Sequence, residues 1–219
     1  MLSIAYDIHA ACRGNGDKTI VARGRQTGSM DIALDRLGAL IDQFDTSWSI
    51  GGERLSGLDD REYRWEPWPA MWSIRRRGRA ESSNPFGPGE WQIDNAVPEP
   101  EPAPAPLTTI AWRLGHITSG LAGRWEYTFG DRSADPNSLV DFSETAHGAL
   151  ADLSDWIERW RDGLQTLTDD QLETPGFGQY PWGLDPHIPF IGIIWWENRE
   201  IIHHLAEIAL LRDLYRTIG

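Results

Sequence analysis

The sequence predicts an all-α protein, an antiparallel four-helix bundle with long Pro-rich and aromatic loops. Three observations lead there. Four long segments repeat apolar residues every three to four positions, no convincing pair of alternating strands appears, and no internal repeat is present. At 219 residues the chain suits one domain able to bury a real core. Residues 1–29 read as a disordered or loosely packed extension and residues 30–219 as the bundle domain.

The extension carries scattered Gly and Arg with no sustained period. Asp31 to about Leu58 follows a helical pattern, with Leu34, Leu37, Leu40, Ile41, Phe44 and Trp48 on one side, and Gly51-Gly52 should fray or kink it. Asp59 to Trp72 is punctuated by aromatics and prolines and predicts a rigid turn. From Ser73 to Pro106 no period is sustained, and the alternating prolines from 98 to 106 specify an extended strap. This first connection is long enough to cross the bundle. Leu107 to Phe129 is the second helix, with Thr108 or Thr109 as N-cap. Ile110, Leu114, Ile117, Leu121 and Trp125 form its apolar side, and His116 lies on roughly the opposite side with Trp112, Ser119, Gly120 and Gly123.

Asp141 to Leu167 is the third helix, on a seam of Ala146, Leu150, Leu153, Ile157, Trp160, Leu164 and Leu167. An acidic turn over Asp169 to Thr174 and an aromatic loop from Pro175 to Gly183 follow. That loop lacks the Gly-Lys-Ser/Thr ending of a phosphate loop. The fourth helix has no Gly or Pro from Ile193 to Ile218.

Composition narrows the function classes. The formal charge of -13 and pI near 4.8 argue against nonspecific nucleic-acid binding. Arg75-Arg76-Arg77-Gly78-Arg79 is the one basic run, read as a solvated patch or an arm on the protein's own acidic surface. A single cysteine, Cys12, excludes an intrachain disulfide and a Cys-based zinc finger. No secretory start or apolar run of about 18 residues is present, so the expected setting is the cytoplasm, away from a membrane. Twelve tryptophans exceed what a structural anchor needs, and several can line a pocket.

The last helix places ionisable residues on a stripe that should be buried. Stepping roughly 100° per residue collects Ile193, Glu197, Glu200, His204, Ile208, Leu211 and Tyr215. A carboxylate left unpaired there costs several kcal/mol, so a positive group should satisfy it. Glu200 and His204, four apart, aim at one point beside the helix, as helix-borne metal ligands do. Glu200 with His203 and His203 with Glu207 compete, but His203 falls about 100° off the stripe. In a bundle His116 can meet Glu200 and His204, giving two imidazoles and one carboxylate with coordination positions left open. That set suits a catalytic divalent ion, with zinc as first choice and nickel or ferrous iron as alternatives. The competing reading is a buried Glu and His satisfied by an arginine or by backbone.

Ala111-Trp112-Arg113-Leu114-Gly115-His116-Ile117 and Glu200-Ile201-Ile202-His203-His204-Leu205-Ala206-Glu207-Ile208 resemble the DinB-like metal-binding bundles. Many members carry one histidine on the second helix and a His-x-x-x-His pair on the last. Here Glu200 replaces the first of that pair, which is similar to the branch of mycothiol-dependent isomerases and transferases. The resemblance implies a metal held by His116, Glu200 and His204 that binds a low-molecular-weight thiol such as mycothiol. It implies transfer to, or isomerisation of, a small electrophile, and a homodimer. A thiol of pKa about 8.5 loses its proton on coordination to a divalent cation. Trp112, Trp182 and Trp196 are candidate substrate walls, or else core. Glu197 is a candidate acceptor for a ligand imidazole or a base, or else pairs with an arginine. The rival functions are a non-catalytic or stress-response metal-binding bundle and a metal-dependent hydrolase.

Overall fold

The computed structural model describes residues 36–95, 106–179 and 186–219. Leu34–Gly219 forms one compact unit. The predicted extension, the prolines from 98 to 104 and Trp182 lie outside the described residues. Four long helices make the bundle: α1 (Arg36–Leu55), α3 (Ile110–Thr128), α4 (Ala146–Leu164) and α6 (Phe190–Ile218). Between them lie two short helices, α2 (Asp60–Tyr63) and α5 (Asp169–Glu173), and two short strands, β1 (Ile74–Arg76) and β2 (Trp91–Ile93).

Three helices, α3, α4 and α5, begin where side chains satisfy their first backbone donors. Thr109 accepts from the Trp112 amide at 3.1 Å, Thr145 accepts from Gly148 at 3.2 Å, and Thr168 with Gln171 forms a reciprocal capping box. The α4 seam is buried at Ala146, Leu153, Ile157, Trp160 and Leu164. It meets Leu114 and Leu121 of α3 and Phe190 and Ile194 of α6 in a single core.

Side-chain contacts fix the helix directions. Leu40 meets Asn198, and Arg54 meets Ala209 and Asp213, so α1 and α6 run the same way. Arg113 meets Glu207 while Arg124 meets Glu197, so α3 and α6 are antiparallel. Asp45 of α1 binds Arg161 of α4 and Asp60 binds the Ala146 amide, so α1 and α4 are also antiparallel. The order is therefore up, down, down, up. The connection that must cross the bundle is residues 129–145, not the longer one after α1. Seventeen extended residues reach well beyond the roughly 28 Å of a 19-residue helix.

Three local expectations are corrected. Gly51-Gly52 does not fray α1, which continues to Leu55 because it packs against α6. A Cβ on Gly51 would meet Leu205 Cδ1 at 2.5 Å, so the glycine allows close approach of the helices. The turn after Asp59 contains α2, capped by the Asp59 carboxylate on the Arg61 and Glu62 amides at 2.8 Å. The aperiodic stretch beyond it holds an antiparallel β1–β2 pair with Ile74 opposite Ile93.

That hairpin is fastened by a buried carboxylate. Asp94 accepts from the Ser73, Glu81 and Ser82 amides, the Ser82 hydroxyl and Arg75 Nε. The basic run closes onto the protein itself. Arg75 forks onto Glu66 at 2.9 Å, Arg76 pairs with Glu90 at 3.0 Å, and Arg77 donates to the carbonyls of Gly87, Pro88 and Gly89. No helix of the described residues is long and apolar enough to cross a membrane.

Candidate metal centre

Because α3 and α6 are antiparallel neighbours, His116 comes level with Glu200 and His204. Glu200 Oε2 lies 3.3 Å from His204 Nε2 and 3.9 Å from His116 Nε2, and the two rings sit edge to face at 4.7 Å. One donor atom from each residue lies within 4.8 Å of the others. A tetrahedral zinc ion with bonds of about 2.1 Å needs donors about 3.4 Å apart. The two carboxylate distances bracket that value, so the donor set fits a divalent cation.

The surroundings fix the donors. His204 is buried, and its Nδ1 lies 2.8 Å from Glu207 Oε2, which directs Nε2 toward the cluster. Glu207 is in turn held by Arg113 Nη1 and by His203 Nε2 at 3.3 Å. On α3, Trp112 stacks on the His116 ring at 4.8 Å with planes 9° apart, and its indole N–H donates to the Asp94 carbonyl at 2.8 Å. The hairpin thereby positions the indole against which His116 rests. Arg199 donates to Glu200 Oε1 at 2.5 Å and leaves Oε2 toward the imidazoles.

Electrostatics keep both members of the α6 pair in ligating form. Burial, with the His116 ring beside it, pushes His204 down to about 3 against the opposing pull of Glu200. His116 and Arg199 together hold the Glu200 carboxyl at about 2, against the desolvation that would raise it. At neutral pH the pair is a neutral imidazole and a carboxylate. Burial also lowers Arg113 to about 10, which leaves it charged beside Glu207.

The other predicted residues fall as follows. His203 points outward, with 62% of its side chain exposed, so the inward histidine of the adjacent pair is His204. Glu197 is buried against Arg124, whose Nε donates to its Oε1 at 3.0 Å; the acceptor on the His204 imidazole is Glu207 instead. Trp196 is partly exposed between two guanidinium groups, Arg124 at 5.8 Å and Arg199 at 5.5 Å from its centroid. Trp112 stands beside both imidazoles, and Trp182 lies outside the described residues. The sequence reading missed Arg113, Arg124 and the partnership of Glu207 with His204. The i,i+3 spacing from His204 to Glu207 carried that last signal, but the i,i+4 pair of His203 with Glu207 competed with it.

Searches of curated proteins and of solved structures return no significant match. A family model described as the DinB superfamily matches residues 43–208, which include both metal motifs and more than half of the chain. The chain belongs to the DinB superfamily.

Proposed function

We propose that this protein is a metal-dependent S-transferase or isomerase that joins a low-molecular-weight thiol, of mycothiol type, to small electrophiles. The observation that carries the reading is the convergence of His116, Glu200 and His204 at the edge of an open hollow. Two neutral imidazoles and one carboxylate leave a divalent site with net positive charge, which favours an anionic sulfur. When bound, the ion supplies Lewis acidity and lowers the pKa of a thiol that reaches it, from about 8.5 toward neutrality. Zinc is the first choice, with nickel or ferrous iron as alternatives.

The chain's own residues orient and shield. Glu207 holds the His204 ring, Trp112 backs the His116 ring, and Arg199 keeps Glu200 turned toward both. On this reading the sulfur is that of a small-molecule thiol. The same reading places the protein in the cytoplasm as a homodimer, with a thiol and an electrophile as partners.

Turnover of a chloronitrobenzene should require both the metal and an added thiol, and should stop when a chelator strips the ion. Thiol-dependent turnover that survives the chelator would remove the mechanism. Ester hydrolysis that needs metal but no thiol would assign the site to a hydrolase. A metal-loaded protein inert to both substrates would be a non-catalytic bundle.

A further inference from the structure

A hollow of about 140 Å³ opens beside the three ligands. Its apolar walls are Ile117 and Gly120 of α3 and Trp196 and Ile201 of α6, while His116 and Glu200 form its metal-facing side. Arg124 and Glu197 complete the lining, with the Arg124 guanidinium bound by Glu197 at 3.0 Å. The hollow therefore presents aliphatic and indole surface together with a closed ion pair, and its remaining carboxylate, Glu200, faces the ligand cluster. Away from the ligand cluster, such a lining favours an uncharged apolar group. An apolar protein cavity of roughly 150 Å³ accepts benzene, which sets the scale of what fits.

Gly120 gives the hollow its depth. A Cβ built there has nothing within 4 Å, although the residue lies mid-helix on α3. Packing therefore does not require the glycine. An alanine there would improve helix propensity by about 1 kcal/mol, so the missing side chain costs stability and leaves space. By contrast, Gly115 on the same helix is enforced by contact, since its Cβ would meet Ile74 Cδ1 at 2.9 Å.

We propose that this hollow is the subsite for an uncharged apolar group about the size of one benzene ring, carried by the electrophile, and that Gly120 sets its size. The assignment to an electrophile rests on the transferase reading above. Trp196 supplies indole surface for a ring beside the metal-facing donors.

The test uses full-length metal-loaded protein and fluorobenzene as probe, followed by fluorine NMR. Wild-type protein should bind fluorobenzene saturably. Gly120→Leu should keep the metal content and melting temperature of wild type, yet raise the fluorobenzene dissociation constant at least tenfold. Gly120→Ala should fall between the two, which guards against a leucine variant that folds poorly. Unchanged fluorobenzene binding in Gly120→Leu, or absence of saturable binding in metal-loaded wild type, would overturn the subsite. Wild-type protein that retains no metal would instead overturn the transferase reading, and with it the assignment of the ring to an electrophile.

Discussion

His204 has two ring nitrogens with different work. Nε2 faces Glu200 at 3.3 Å, and Nδ1 meets Glu207 at 2.8 Å. A carboxylate on the far nitrogen makes an imidazole a better donor, and such partners typically change metal affinity 10–100-fold. Glu207→Gln keeps an acceptor but removes the charge, so zinc affinity should fall by about that factor in competition with a chromophoric chelator. An unchanged affinity would make Glu207 a surface partner of Arg113 only. The acid response follows from the same cluster. His204 titrates at about 3 in the fold against an ordinary 6.5, and Glu200 at about 2 against 4.5. Both folded values are depressed, so the unfolded chain binds more protons in acid. In chelator, stability should drop as pH falls below about 6.5 through His204, with Glu200 adding to the loss below about 4.5. Melting curves from about pH 7 to about pH 4 check this, and His204→Gln should flatten the upper part of that profile.

Helix packing separates two adjacent glycines. Gly51 faces Leu205 across the α1–α6 contact, whereas a Cβ on Gly52 meets nothing within 4 Å. Gly51→Val should destabilise by about 1–3 kcal/mol through overpacking, while Gly52→Ala should stabilise by about 0.5–1 kcal/mol. Denaturant midpoints at constant slope would show opposite shifts, and shifts of one sign would remove the contact argument. The sequence alone treats both as helix breakers, because propensity is local and the reason for Gly51 lies on another helix. Elements with local causes are legible: the period of α4, the Thr109 cap and the inward stripe of α6 all read directly from spacing. The β1–β2 pair is not. Its three-residue strands show no alternation, and Asp94, distant in sequence from Ser73 and Arg75, fastens it.

The whole bundle depends on pairings between elements far apart in the chain. Arg212 of α6 forks onto Glu62 of α2 and donates to the carbonyls of Arg54 and Ser56 at the end of α1. Both partners are nearly fully buried, so Arg212→Leu strands a carboxylate and should cost about 3–5 kcal/mol in denaturant unfolding. Replacing Glu62 by Leu as well should recover part of that loss. Neither this pair nor Arg124 with Glu197 follows from spacing, since each joins residues more than seventy positions apart. The convergence of His116, Glu200 and His204 was legible because two of them share one helix turn and the third follows once α3 lies beside α6. The most direct test is elemental analysis of protein purified without a chelating tag, alongside His116→Ala and His204→Ala. Wild type should carry about one divalent ion per chain and either variant almost none. Wild-type protein without metal, or variants that retain it fully, would contradict the proposed metal centre.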